Sequence, residues 1–432
     1  MKLFRSLLAP LLALLVPLGA LAQADTPVPR EVLVLLRPGN AIAQIAQTYG
    51  LTTLERFGQR PIWRLRVNGP QTVPDALVSL QADVRVQVAE RNFEDETPES
   101  RRNRVWAIGG SQSQWTSQWA MRTIRLPQAQ QLARGAGVRV AVLDTGVDAT
   151  HPVLAHRLAR RANGTLIGRD FVDDDADPSE EGVVGDPGYG HGTHVAGLIA
   201  RVAPQARIIP GRVLDERGRG NLWVLQEALL WAVDPDGNPQ TDDGADVVNL
   251  SLGTLRRTRL LDLAVELATC SDDDDDEDEL DLADPGFDAD RARCAARGGA
   301  VVMAAAGNAG TTERQYPAAE AALGKLSVTA SARNNRLADF ANRGATVEIV
   351  APGDQIISAV PGGGWGVWSG TSMAAPIAAG VAALVRQLNP DWKAVDVTKR
   401  LQDRSARLCG TALRQVDAYG AVADEVPPDL PC

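Results

Sequence analysis

Between Val138 and Leu388 the chain repeats one pattern: a short run of apolar residues, then a stretch with helical spacing. Strands read at VRVAVLD, ARIIPGRV, DVVNLSL, AVVMAAAG and LSVTA, and helices start at His191, near Asn221, near Thr258 and at Ser372. Near-continuous apolar runs mark strands buried on both faces, and parallel neighbours need a crossover long enough to hold a helix. The pattern therefore predicts an α/β fold, a doubly wound and mainly parallel sheet with helices on both faces. Ligands in such sheets bind beyond the carboxyl ends of the strands.

Four polar residues fall at that rim. Asp144 closes VRVAVLD and is followed by TG; His191 opens HGTHVAG; Asn308 stands in AAAGN after an apolar strand; Ser372 lies in GTSMAAP ahead of the apolar IAAGVAALV. A serine hydroxyl is a poor nucleophile until a base takes its proton and donors hold the oxyanion that forms. Aspartate, histidine, asparagine and serine are the residue types that chemistry requires.

In this order the four motifs resemble those of the subtilisin-like serine peptidases, over roughly Gln118 to Tyr419. The resemblance implies catalytic roles for Asp144, His191, Asn308 and Ser372, in an endopeptidase that acts through an acyl-enzyme. His194, one turn into the same helix, reads as structural. Ser251, Leu252 and Gly253, with Ala305, Ala306 and Gly307, resemble the walls of the primary specificity pocket. Gly218, Arg219 and Gly220 resemble the strand that pairs with a substrate backbone. The chain also departs from the family. TTERQYP carries Glu313, Arg314 and Gln315 where many relatives have small residues, and the side chains of Glu313 and Gln315 are expected to shorten the pocket floor and disfavour large aromatic residues before the cut. Only Arg201 separates HVAGLIA from VAP, so the longer loop that holds a tight calcium ion in many relatives is missing.

At the other end, Lys2 and Arg5 precede LLAPLLALLVPLGALA, and small residues near Ala22 and Ala24 offer a cleavage site. This predicts a signal peptide over 1–24 and export without a retained membrane span. Over 25–93 the pattern reads strand, helix, strand, helix, strand, a small α+β unit of ferredoxin-like character. It resembles the family's propeptide, implying an intramolecular inhibitor and foldase. A charged linker is expected over 94–117, and the catalytic domain over 118–432.

Charge is localised. Residues 272–290 hold twelve acidic side chains, so the remainder has 42 acidic against 44 basic residues and the net moves from −10 to about +2. The acidity belongs to an insertion over 271–293, and the near-neutral rest has no nucleic-acid footprint. The helix from Thr258 to Thr269 would carry that insertion away from the catalytic rim. In an oxidising compartment the four cysteines should pair, and spacing favours Cys270 with Cys294 and Cys409 with Cys432. The chemistry needs no cofactor. A structural calcium is left open at two acidic loops, one with Asp173, Asp174, Asp175 and Asp177 and the other with Asp234, Asp236, Asp242 and Asp243. The expected partners are polypeptide substrates and the chain's own propeptide, in a monomer. Two other readings stay open: a peptide ligase that resolves the acyl-enzyme with an amine, and a non-catalytic binding protein on the same scaffold.

Overall fold

The structure is a computed structural model, and it describes residues 26–99, 107–271 and 280–432. The expected signal peptide and the acidic run 272–279 lie outside the described residues. The N-terminal unit comprises β1 (Pro27–Leu36), α1 (Ile42–Tyr49), β2 (Leu51–Arg56), β3 (Ile62–Val67), α2 (Val73–Gln81) and β4 (Val86–Glu96). β2 is absent from the sequence reading because LTTLER lies at the sheet edge and buries only Leu51, so it lacks the apolar signal of a strand. The strand order is β2-β3-β1-β4 with antiparallel pairing throughout.

Strand side chains alternate between faces, and this explains the unbroken apolar run of β1. Val32, Val34 and Leu36 pack with Ile45, Ala76 and Leu80 of the two helices. Leu33 and Leu35 face the other way and join a cluster with Trp223 and Leu261 from the rest of the chain. The N-terminal unit is thus a layer laid on a second core. Its last strand does not stop at Phe93 but runs on to Glu96, through residues whose charge suggested a linker.

The chain continues through β5 (Ala107–Ile108), α3 (Gln112–Ser117), α4 (Trp119–Thr123), α5 (Leu126–Leu132), β6 (Arg139–Asp144), β7 (Arg169–Asp170), α6 (His191–Val202), β8 (Arg207–Arg212), β9 (Arg219–Asn221), α7 (Leu222–Val233), β10 (Val247–Leu250) and α8 (Arg259–Thr269). After a short 3-10 turn at Pro285–Phe287 come α9 (Asp288–Arg297), β11 (Val301–Ala305), β12 (Lys325–Ser331), β13 (Ile349–Pro352), β14 (Ile356–Val360), β15 (Gly364–Trp368), α10 (Thr371–Leu388), α11 (Ala394–Asp403), β16 (Ala406–Arg407), β17 (Arg414–Gln415) and α12 (Ala418–Ala423).

The main sheet has the order β16-β17-β13-β12-β11-β10-β6-β8-β7, parallel except for the terminal β16. In register, Val140 of β6 lies beside Val247 of β10 and Ile208 of β8. The chain first builds outward from β6 to β8, then crosses back to place β10, β11, β12 and β13 on the other side. That reversal between β6 and β10 is the topological switch point where such sheets bind ligands. Asp144 ends β6, and Ser251 follows β10.

Helix α10 runs beneath β10 to β13, and its residues from Thr371 to Arg386 are buried. It is the one helix among the described residues long and apolar enough to cross a membrane, yet 89% of it is buried inside the fold. A helix apolar on all sides is what a core position of this kind demands. The disulfides join Cys270 to Cys294 and Cys409 to Cys432, closing separations of 24 and 23 residues. In the chain-entropy estimate each loop of that size contributes about 3.5 kcal/mol.

Candidate active site

The four residues singled out at the sheet rim converge on one point. His191 opens α6, and its Nδ1 lies 2.6 Å from Oδ1 of Asp144, which also accepts the Thr145 N–H at 2.8 Å. Both side chains are buried. A buried carboxylate bonded to Nδ1 fixes the ring tautomer and leaves Nε2 for chemistry. Burial pushes His191 down, but Asp144 and then Glu99 outweigh it and hold the imidazole at about 10. His194 lies stacked on Trp368, 4.8 Å between centroids, with Nε2 bonded to the Gly366 carbonyl. Burial, helped by the charge of His191, pushes it down to about 3. It is a neutral packing residue, as its place on the helix suggests.

Ser372 lies in the first turn of α10, with Oγ 3.3 Å from the Ser251 carbonyl. Asn308 follows β11, and Thr371 sets its orientation. Thr371 donates its N–H at 2.8 Å and its hydroxyl at 3.0 Å to Oδ1 of Asn308, which leaves the amide nitrogen turned away from Thr371 as a donor. The sequence reading missed Thr371, although it stands beside the serine in GTSMAAP. It also missed Glu180, which accepts N–H groups from Gly190 and Thr193 at the start of α6 and the hydroxyl of Thr145 beside Asp144. An anion there suits the positive end of a helix. Burial raises Glu180 to about 7. No short motif contains it, since the irregular segment GVVGDPGYG separates it from His191.

A third unforeseen residue fills the centre. Glu99 presents Oε2 to Ser372 Oγ at 2.7 Å and to His191 Nε2 at 3.3 Å, and Oε1 to the Asn308 amide at 2.8 Å. One carboxylate therefore occupies the space between Ser372, His191 and Asn308.

The approach to this point is a β-ribbon. β4 pairs antiparallel with β9, placing Asp95 opposite Gly220 and Glu96 opposite Arg219. The Thr97 N–H donates to the Gly218 carbonyl at 3.0 Å. On its other side Glu96 exchanges bonds of 3.2 and 3.0 Å with Gly253. Residues 94–97 thus lie as a strand between Gly218–Gly220, expected to pair with a substrate backbone, and Gly253, expected in a wall of the specificity pocket. Main-chain bonds of this kind make little demand on side-chain identity.

Of the expected pocket floor, Glu313 and Arg314 are exposed, while Gln315 is buried. The Gln315 amide approaches Gly253 and Gly307 so closely that a Cβ on either would lie 2.7 or 2.4 Å from it. Of the three, Gln315 is therefore the one that lies between Gly253 and Gly307, on the two segments expected to wall the pocket. The expectation for Glu313 is corrected: its backbone carbonyl accepts from Asn342, and its side chain points to solvent.

The two acidic loops differ. Asp170, Asp173 and Glu181 surround the buried Arg212, which donates to both aspartates and pairs with Glu181 at 3.0 Å, while Asp174 pairs with Arg169. Arginine supplies the positive charge there, and the set does not fit a cation. Carboxylate oxygens of Asp234, Asp236 and Asp243 lie within 4.8 Å of one another, and burial together with mutual repulsion raises Asp234 and Asp243. That donor set fits a hard cation such as calcium. α6 ends at Val202 and β8 begins at Arg207, so the short connection read from the sequence is short in space as well.

Comparison with known proteins follows the same division of the chain. Residues 135–421 match the subtilase family, and residues 20–92 match the fervidolysin N-terminal prodomain. The chain is 35% identical over 305 residues to subtilisin BL of Lederbergia lenta, covering 68% of this chain and 93% of that protein. It is 32% identical over 319 residues to thermitase of Thermoactinomyces vulgaris, covering 71% of this chain and 95% of that one. Among solved structures, fervidolysin from Fervidobacterium pennivorans, described as a keratinolytic enzyme related to subtilisin, superposes with a TM-score of 0.70. That match has 22% identity and spans 95% of this chain but only 63% of the other, so it speaks for the fold alone.

Proposed function

Because the chain belongs to the subtilase family of serine peptidases, we propose that it is an exported endopeptidase held latent by its own N-terminal unit, with Ser372 as nucleophile. Ser372 Oγ attacks the scissile carbonyl carbon while Nε2 of His191 takes the hydroxyl proton. The tetrahedral oxyanion is held by the Asn308 amide and the Ser372 N–H. Collapse breaks the C–N bond, and His191 returns the proton to the leaving amine. Water, deprotonated by the same imidazole, then resolves the acyl-enzyme. Asp144 holds the ring and stabilises the imidazolium throughout. The substrate backbone enters where residues 94–97 now lie, between Gly218–Gly220 and Ser251–Gly253. No step needs a cofactor.

The observation that carries this reading is Glu99. A carboxylate carries the negative charge on oxygen that the tetrahedral oxyanion would carry, and this one is bonded by Ser372, His191 and Asn308 together. An anionic oxygen in that place supports the assignment of these groups as donors and blocks them. The match of residues 20–92 to a prodomain supports the same view. An active-site-directed serine phosphonate tests it. After the N-terminal unit has been removed, wild type should be labelled at Ser372 and hydrolyse peptides, and Ser372→Ala should do neither. A phosphonate adduct at any other residue would overturn the assignment.

A further inference from the structure

The N-terminal unit touches the rest of the chain at a second place, away from Ser372. There the part of the acidic insertion from Leu280 to Arg293 lies against the turn between β2 and β3. Arg60 makes a two-pronged pair with Asp290, Nε to Oδ2 at 2.8 Å and Nη2 to Oδ1 at 2.6 Å, with Asp290 nearly fully buried. Gln87 of β4 forms two bonds to the backbone of Asp281, donating to its carbonyl at 3.0 Å and accepting from its N–H at 2.8 Å. Gly286 sits so close to the same turn that a Cβ would lie 2.4 Å from the Gln59 carbonyl. Phe287 is fully buried in the cluster that holds Leu33, Leu35, Phe57 and Ile62 of the N-terminal unit, and Leu280 and Leu282 pack on its edge. The Cys270–Cys294 disulfide closes this segment at its base, on the C-terminal end of α8.

We propose that the insertion is a docking site for the N-terminal unit, separate from the cleft, and that it sets how long this unit stays bound once the chain between them is cut. Three kinds of interaction meet there: a bidentate arginine–carboxylate pair, a side-chain amide reading a backbone as a strand would, and a buried aromatic ring. A buried charge pair of this geometry is costly to break from one side, because the remaining charge stays without its partner. The insertion thereby recognises one surface by its side chains, whereas the cleft holds a backbone. Without the insertion's hold, the N-terminal unit would be retained by the cleft ribbon and the faces of α7 and α8 alone. The proposal rests on the reading of the N-terminal unit as an inhibitor only for its consequence, a longer latency; the docking itself does not depend on it.

The experiment uses the full chain carrying Ser372→Ala, so that it cannot cut itself, with a recognition sequence for an unrelated specific protease substituted within residues 100–106. After nicking, the time for the labelled N-terminal fragment to leave is followed by size exclusion against excess unlabelled fragment. Asp290→Ala and Arg60→Ala should each shorten it at least tenfold, and the pair together should do little more than either alone. A residence time within threefold of the parent in both single variants would overturn the proposal. Circular dichroism and peptide hydrolysis by the Ser372 form of Asp290→Ala, freed of its N-terminal unit, check that the catalytic fold is intact, and kcat/KM should match the parent. If the fragment is retained as described yet fails to suppress hydrolysis in the Ser372 form, docking stands and the inhibitor reading fails.

Discussion

The N-terminal unit is gripped at two sites made in opposite ways. In the cleft, residues 94–97 are held by main-chain bonds from Gly218–Asn221 and Gly253, and a site of that kind must admit many sequences. At the insertion, the hold comes from Arg60, Gln87 and an apolar cluster, and it admits one partner. The cleft is therefore robust to changes in the strand it holds and fragile at its few catalytic side chains. The insertion has the reverse sensitivity. The two can be pulled apart by variants that touch one and leave the other.

Glu99 gives the largest expected effect on the cleft side, because its side chain is the one bonded to Ser372, His191 and Asn308 together. Removing it frees three donors at once. A hydrogen bond to a charged group is worth about 1.5 to 3 kcal/mol, so Glu99→Ala in the uncut chain should speed phosphonate labelling of Ser372 by about ten- to a hundredfold. The residence time of the nicked fragment should change far less, since the ribbon and the insertion remain. An unchanged labelling rate would mean that the ribbon backbone, and not this carboxylate, closes the site.

What the sequence discloses follows the same division. The rim residues are legible because each sits in a local motif whose glycines and small residues are demanded by a turn or a helix start, and because strands such as VRVAVLD and AVVMAAAG are buried on both faces. The order Asp144, His191, Asn308, Ser372 then suffices to bring them to one edge. β2 is not legible, since an exposed edge strand carries no apolar alternation. Glu99 is not legible either: it lies in a charged run without periodicity, and its role comes from the register of β4 on β9, set over a hundred residues away. The insertion reads as an acidic loop, and α8 does carry it away from the rim as expected. Its partner Arg60 is 230 residues distant, and no pattern in either segment points to the other.

Within the cleft, Gln315 is where side-chain identity should matter most. It is buried against Gly253 and Gly307, on the two segments expected to wall the pocket. Gln315→Ala should open that space and raise kcat/KM for a large aromatic residue before the cut, relative to alanine, by at least about tenfold, in keeping with about 1 to 3 kcal/mol for a single methylene in a pocket. Profiling with a mixed peptide library reads the change directly. If the parent already prefers Phe or Tyr at that position, Gln315 is not the floor. Retention of the N-terminal fragment should not respond, which keeps the pocket distinct from the docking surface.

The smallest effect is a dependence of retention on pH, and it arises between the two grips. Glu90 of β4 accepts the N–H groups of Arg259 and Leu260 at 2.9 and 3.2 Å, supplying from the N-terminal unit a cap that the Thr258 side chain does not give α8. Burial, with repulsion from Asp262, raises Glu90 from 4.5 to about 7 despite those two bonds. Glu227 of α7 is likewise raised to about 7, by burial and then by Glu55 of the N-terminal unit. Both groups hold a proton more tightly when the unit is docked than when it is free. The docked state therefore binds more protons, and its advantage is full below about 4.5 and is lost as pH rises through about 7. The nicked fragment should accordingly leave several-fold faster at pH 8 than at pH 5. Glu90→Gln with Glu227→Gln should make that profile shallower, because amides cannot titrate, leaving the part that His191 carries through its contact with Glu99. Asp290→Ala should shorten residence by the same factor at both values, leaving the slope unchanged. A flat profile in the parent, or a slope of opposite sign, would show that the bonds from Arg259 and Leu260 keep Glu90 ionised in the docked state and that release is indifferent to protons.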